Sequence, residues 1–466
     1  MTDMMPYLPG FIGLLLAVAA ASLVFAPRTG QLGGFFRGQD ARGQAPGVFT
    51  LTFSQVTTWI FARSLLNAGI LGYFFGIAGA LAYTAYYGSF LTGWLIIDRL
   101  RFHHGVDNAQ SFLKQRFGRV GSVSYNVLAS LRLLTEVFAN LLVVGIIFSA
   151  WGDRVANMAI LAVAGLTLVY SMRGGLLASL RTDVWQMLML SALIVSLSVM
   201  MISSSEFSLP AIIVSSPELS SPGWILLIVA LLQVLSYPLH DPVMMDRGFL
   251  ADRRTTRRSF VHAFWISAAL ILAFGLVGVF TGLHAGDDGD FLTTVHRLLG
   301  GPAMFLIGLA LVLSAISTMD STLSSVSKLV VVDAGLMRQS TRNGRLAMVL
   351  FAVFGLVLVY VGTDDLFAAV AVSGTASLFL TPVIVFSILA GRDVARWSLV
   401  ATFFVAMVGA ILYFLEDSGY TGLIGGLTGF EHSYSHLLVI TLVILVSSML
   451  FFVLGLGPRH ALGSHD

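Results

Sequence analysis

Runs of about 20 predominantly apolar residues recur about thirteen times along this chain, and that is the length at which an α-helix crosses the hydrocarbon of a bilayer. They fall at approximately 7–27, 50–72, 74–98, 120–150, 155–171, 178–203, 222–243, 259–283, 302–332, 344–361, 366–390, 396–415 and 435–456. Inside lipid every backbone N–H and C=O must pair internally, so the expected fold class is an all-α polytopic membrane protein. Composition agrees: 57% of the 466 residues are hydrophobic and 11% charged, more apolar surface than a water-soluble domain of this length can hide. A net charge of +2 is too small to point to nucleic acid, and the absence of Cys excludes disulfides and thiolate metal sites.

The first run, "LPGFIGLLLAVAAASLVFAP", follows a segment without Lys or Arg and precedes Arg28, Arg37 and Arg42, which reads as a retained span with its N-terminus outside. Alternating the loops from there places 21 of the 26 Lys and Arg on the cytoplasmic side, with the C-terminus. Only Arg154 and Arg297 fall outside, and Arg63, Arg132 and Lys328 lie within spans. Acidic residues including Asp287, Asp288, Asp290, Glu416 and Asp417 fall in outside loops. The basic segment "RGFLADRRTTRRSF" reads as a topology determinant facing anionic headgroups. A bacterial cytoplasmic (inner) membrane is the expected location.

Ionisable groups at membrane depth are costly and mark functional candidates: Arg63, Arg132, Glu136, Asp183, Asp241, Asp320 and Lys328. Arg132 and Glu136, four apart on one helix face, suit a structural ion pair better than substrate contact. The densest signal is "SAISTMDSTLSS", Ser314 to Ser325, with seven hydroxyls and a carboxylate in twelve residues of an otherwise apolar helix. Single hydroxyls in such helices commonly bond back to their own backbone. Ser314, Thr318, Ser321 and Ser325 recur at helical spacing, however, and oxygen ligands without nitrogen or sulfur suit a hard monovalent cation. Asp183 is expected at the same depth as Asp320; the alternative is an acid stabilising the start of its own helix.

Two of these segments carry a resemblance. "VYSMRGGLLASLRTDVWQM" (Val169 to Met187) and "AISTMDSTL" (Ala315 to Leu323), followed by Asp333, resemble the signatures of the sodium/solute symporter family; "SFLKQRFG" and "DRGFLADRRTTRRS" are weaker matches. The resemblance implies one transporter domain over 1–466 with the LeuT-like five-plus-five inverted repeat: 50–203 the first repeat, 222–390 the second, 7–27 an extra N-terminal helix and 396–456 two extra C-terminal ones. Helices 1 and 6 of such a fold are interrupted near the midplane, where substrate binds.

The resemblance further implies sodium as the coupling ion. Its ligands would be the Thr57, Ile60 and Ser314 carbonyls with the Ser317 and Thr318 hydroxyls. A second cation or proton site would fall at Asp183, Ser317, Asp320 and Ser321. Solute contacts are expected from Arg63, Ser64, Asn67, Tyr237, His240 and Asp241. Arg63 reads equally as the ion-pair partner of Asp241 or Glu136, and His240 beside Asp241 as a proton relay or a hydrogen-bonded core pair. "SYPLHDPVMMDR" carries Pro238 and Pro242 as a break signal for helix 6, whereas no Gly or Pro marks a break between Thr57 and Ser64. The expected function is sodium-coupled uptake of a small polar organic solute, an amino acid or organic acid for choice. The alternatives are a proton-coupled symporter or a non-transporting solute sensor. No enzyme is expected: Asp183 with Asp320 is a weak aspartyl pair, and His103 and His104 lack neighbouring ligands.

Overall fold

The computed structural model describes residues 7–286, 289–361 and 373–459. Asp287, Asp288 and the first part of the expected span 366–390 lie outside the described residues. The principal helices are α1 (Leu8–Phe25), α2 (Val48–Trp59), α3 (Ala62–Ala85), α4 (Ser89–Asp98), α5 (Arg119–Phe148), α6 (Asp153–Ile202) and α7 (Pro222–Gln233). They continue with α8 (Tyr237–His240), α9 (Pro242–Gly248), α10 (Arg253–Leu283), α11 (Phe291–Lys328), α12 (Thr341–Val361), α13 (Arg396–Asp417) and α14 (Ser433–Leu454). Among the described residues, nine helices are long and apolar enough to cross a membrane.

Some continuous helical runs hold more than one expected span. The 50 residues of α6 would extend about 75 Å at the α-helical rise, far beyond a bilayer core. Gly175, at φ 55° and ψ −134°, interrupts them between the spans expected at 155–171 and 178–203. Gly76, at φ 60°, does the same within α3. A side chain would be strained at either backbone conformation. A short antiparallel strand pair, Arg392–Val394 against Leu456–Arg459, is the departure from an all-helical chain.

Helix 1 is interrupted although no Gly or Pro stands there. The ladder of α2 ends with Ile60 N–H on the Val56 carbonyl at 2.9 Å, and α3 begins after Phe61, whose φ −84° and ψ 162° are extended. An extended residue needs no special side chain; the interruption needs partners for the backbone groups it frees. Asn140 on α5 accepts the Ala62 N–H at 3.1 Å, Tyr87 and Ser64 donate to the Trp59 carbonyl at 2.9 and 3.3 Å, and Ser314 donates to the Ile60 carbonyl. Helix 6 is interrupted as Pro238 and Pro242 lead one to expect, with Asp241 extended between α8 and α9.

The two halves are drawn together by close backbone approach. A Cβ on Gly278 of α10 would stand 2.0 Å from the Gly69 carbonyl oxygen of α3, and one on Gly282 2.2 Å from that of Tyr73. Small residues are what let membrane helices approach so closely. Gly278→Val therefore forces α10 off α3, at a cost of at least about 1–3 kcal/mol. The expected outcome is a lower Tm and a smaller monodisperse peak in size-exclusion chromatography of the purified protein.

Candidate ion and solute site

Three polar layers lie along the interior. The first surrounds the interruption of helix 1. There the Ser314 hydroxyl meets the Ile60 carbonyl, joining α11 to the α2–α3 junction. One turn further along α11, Thr318 is buried and its Oγ1 has no hydrogen-bond partner among the described residues, and the same holds for Thr57 Oγ1. Buried hydroxyls are normally satisfied, if only by their own helix, so Thr57 and Thr318 are candidate ligand positions. Thr57, Ile60, Ser314, Ser317 and Thr318, the residues expected around sodium, are all buried. Ser317 is partly engaged elsewhere, its hydroxyl donating to Asp183 Oδ1 at 3.1 Å.

An aromatic cavity of about 40 Å³ of free volume adjoins that junction, room for a few waters. Trp59, Phe61, Tyr83, Tyr86, Tyr87 and Tyr237 wall it, with Ser64, Asn67 and Gln233 as polar points. Of the expected solute contacts, Ser64, Asn67 and Tyr237 line it; Arg63, His240 and Asp241 do not. The Arg63 guanidinium is fully buried, 4.8 Å over the Phe61 ring, and among the described residues none of its three nitrogens has a hydrogen-bond partner. It pairs with neither Asp241 nor Glu136, because Arg132 takes both, with Nη1 3.2 Å from Glu136 Oε2 and Nη2 3.1 Å from Asp241 Oδ2. The Arg132–Glu136 pair expected from spacing is thus part of a triad linking α5 to the interruption between α8 and α9. His240 is likewise not paired with Asp241: its Nδ1 meets the Tyr237 carbonyl at 2.6 Å and its Nε2 is unpartnered. The other Asp241 oxygen caps α9 through the Met244 N–H at 3.0 Å.

The second layer holds Asp183. Ser54 of α2 donates to its Oδ2 at 2.6 Å, Ser179 donates to the same oxygen at 3.3 Å, and the Ser317 contact completes the set. The residue that sequence reasoning missed is Arg247. Counted among the basic loop residues, it is instead fully buried and projects from α9 into this layer. Its Nη2 lies 3.4 Å from Asp183 Oδ2 and donates to Ser321 Oγ at 2.8 Å and Ser179 Oγ at 3.2 Å; its Nε donates to Ser54 Oγ at 2.7 Å. Asp320 stands on the next stripe with its own donors, Ser171 at 2.7 Å and Thr182 at 2.8 Å. The guanidinium thus joins Asp183 to Ser321, Ser317 reaches Asp183 through its own hydroxyl, and the Asp320 oxygens are engaged by a different pair of hydroxyls.

The third layer lies toward the basic loops. Lys328 Nζ is 2.5 Å from Asp246 Oδ1 and 3.4 Å from Asp333 Oδ2, and Asn108 donates to Asp333 Oδ1 at 2.9 Å. Asp98 binds Arg253 through two nitrogens, at 2.6 and 2.9 Å. Lys328 with Asp246 and Asp333 joins α11 to α9, and Asp98 with the exposed Arg253 joins α4 to α10. Among the described residues no group of three or more His, Cys, Asp or Glu is placed to hold a metal ion.

Asn140 is the side chain that takes up the N–H freed at the interruption of helix 1. Asn140→Leu leaves the buried Ala62 N–H unsatisfied, a loss of about 1–3 kcal/mol. A lower Tm of the purified protein is expected; an unchanged Tm would show that another group takes over the Ala62 N–H.

No protein-family model and no curated protein matches this chain. Solved structures do. A Na+-coupled sialic acid symporter in a substrate-bound outward-open state superposes with a TM-score of 0.73 at 15% identity, covering 96% of this chain and 98% of that one. Mhp1, a nucleobase-cation-symport-1 family transporter in a closed conformation with bromovinylhydantoin bound, gives 0.59 at 14% identity over 95% and 97%. A manganese transporter of Eremococcus coleocola gives 0.50 at 14% over 88% and 93%. This chain has the helical LeuT-like fold, and these neighbours are transporters, not enzymes.

Proposed function

We propose that the chain is a secondary active symporter of the sodium/solute type, in which sodium moving inward drives uptake of a small polar organic solute by alternating access. The observation that carries this reading is the junction of α11 with the interruption of helix 1: the Ile60 carbonyl beside Ser314, and the buried, idle Thr57 and Thr318 hydroxyls one turn away. Sodium bound there, with the Thr57, Ile60 and Ser314 carbonyls and the Ser317 and Thr318 hydroxyls as ligands, would tie the two repeats together. Its loss would release α2 and open the inner path. Coupling then resides in the difference in sodium affinity between the two arrangements.

The solute would bind where the aromatic cavity stands, widened from its present volume by the opening of the alternating-access cycle, with Ser64, Asn67, Gln233 and Tyr237 supplying polar contacts. The uncompensated guanidinium of Arg63 behind Phe61 favours a solute bearing a carboxylate, an amino acid or organic acid, since an anion is what a desolvated cation lacks. The chain would sit in a bacterial cytoplasmic membrane as a single transporter domain, N-terminus outside and C-terminus inside.

Proteoliposomes holding the purified protein test this. An inward sodium gradient should drive accumulation of at least one labelled amino or organic acid above its external concentration, and replacing sodium with choline should abolish it. No gradient-driven accumulation of any solute across a broad panel would overturn the proposal.

A further inference from the structure

We infer that Arg247 is a built-in cation: its guanidinium fills the Asp183 site permanently, so that no mobile ion binds there and the chain carries at most one sodium. Four observations converge. Asp183 and Arg247 are both completely buried, where an isolated charge of either sign would be severely penalised, and each is the other's ion partner at 3.4 Å. The guanidinium takes the oxygen atoms that would otherwise ligate an ion: Asp183 Oδ2, Ser54 Oγ, Ser179 Oγ and Ser321 Oγ lie 3.4, 2.7, 3.2 and 2.8 Å from its nitrogens. Its remaining nitrogen is held by the Val243 carbonyl at 3.0 Å, which fixes the side chain back onto its own helix. Asp320, the second carboxylate expected at such a site, faces Ser171 and Thr182 instead.

A planar guanidinium also differs from a sodium ion in how it responds to the transport cycle. It is tethered to α9, so it cannot leave by diffusion when the inner path opens. Ser54 belongs to α2, Ser179 and Asp183 to the second half of α6, and Ser321 to α11. Arg247 therefore fastens α2 and α9 to the second half of α6 and to α11. Movement of α2 would break the Ser54 contacts and leave the Arg247–Asp183 pair in place. The charge that a diffusing ion would add and remove in each turnover stays constant.

The inference does not depend on sodium binding at Thr318, and the experiment separates the two. Equilibrium binding of radioactive sodium to the purified protein in nanodiscs counts ions per chain. The wild type should bind one at most. Two would overturn the inference, while none would sink the sodium reading of the Thr318 site and leave Arg247 as the resident cation. Arg247→Ala should bind one sodium more than the wild type, and its Tm should rise with sodium by several degrees more than the wild type does, because Asp183 is then left without a counter-charge. Arg247→Lys, which keeps the tethered charge, should keep the wild-type count, and Asp183→Asn combined with Arg247→Ala should cancel the gain. An Arg247→Ala protein that folds and shows neither the extra ion nor the extra sodium dependence would overturn the inference. Should that variant not fold, the wild-type count decides.

Discussion

Thr318→Ala should raise the sodium concentration for half-maximal uptake by about tenfold to a hundredfold. A polar ligand to a charge contributes about 1.5–3 kcal/mol, and each 1.4 kcal/mol is a factor of ten. The effect on folding should be small in the opposite sense to most core changes. Thr318 Oγ1 is buried without a partner, so removing it discards an unsatisfied polar atom and leaves only a methyl-sized deletion. A Tm close to wild type with a displaced sodium curve is thus the signature of a ligand, and it distinguishes Thr318 from Ser314, whose hydroxyl is engaged by the Ile60 carbonyl.

The largest loss of folded protein is expected from Arg132→Met. Arg132 stands 3.2 Å from Glu136 and 3.1 Å from Asp241, all three at most 2% exposed. Removing one member of a buried ionic cluster costs about 3–5 kcal/mol, because the remaining charges stay desolvated without compensation. The yield of monodisperse protein should collapse. Neutralising the acids as well, in Arg132→Met with Glu136→Gln and Asp241→Asn, should recover much of it, since a neutral set has no charge to compensate. Failure of the triple variant to recover any yield would mean that Arg132 acts through shape and not charge. The Asp241 substitution also weakens the cap on α9, so recovery is expected to be partial.

How much of this was legible in the sequence follows from how local each signal is. The hydroxyl stripe from Ser314 to Ser325 announces itself, because polar groups stand out against an apolar helix, and its side chains do line the interior. Pro238 and Pro242 announce the interruption of helix 6, because proline removes backbone donors where it stands. The interruption of helix 1 carries no such mark. Its partners come from Asn140, Tyr87 and Ser314, 78, 28 and 254 residues away from the groups they satisfy, and no window of sequence contains them together.

Arg247 was hidden for a different reason. Beside Arg253, Arg254, Arg257 and Arg258 it reads as one more basic loop residue, yet it stands five positions after Pro242 on a short helix, α9, that is buried throughout. A helical step inward from the Asp241 interruption, and not the charge run that follows, was the sign that it faces the interior. Arg63 and His240 show the converse limit. His240 adjoins Asp241 in the chain and Arg63 reads as a partner of Asp241 or Glu136, but the fold gives both acids to Arg132.

The most direct test of the central claim is a cryo-EM map of the protein in nanodiscs, recorded in sodium and again in choline. The account predicts a sodium-dependent density between the Ile60 carbonyl and the Thr318 hydroxyl, within coordination distance of both. Thr318 bonded back to its own helix in both maps, with nothing between it and helix 1, would contradict it.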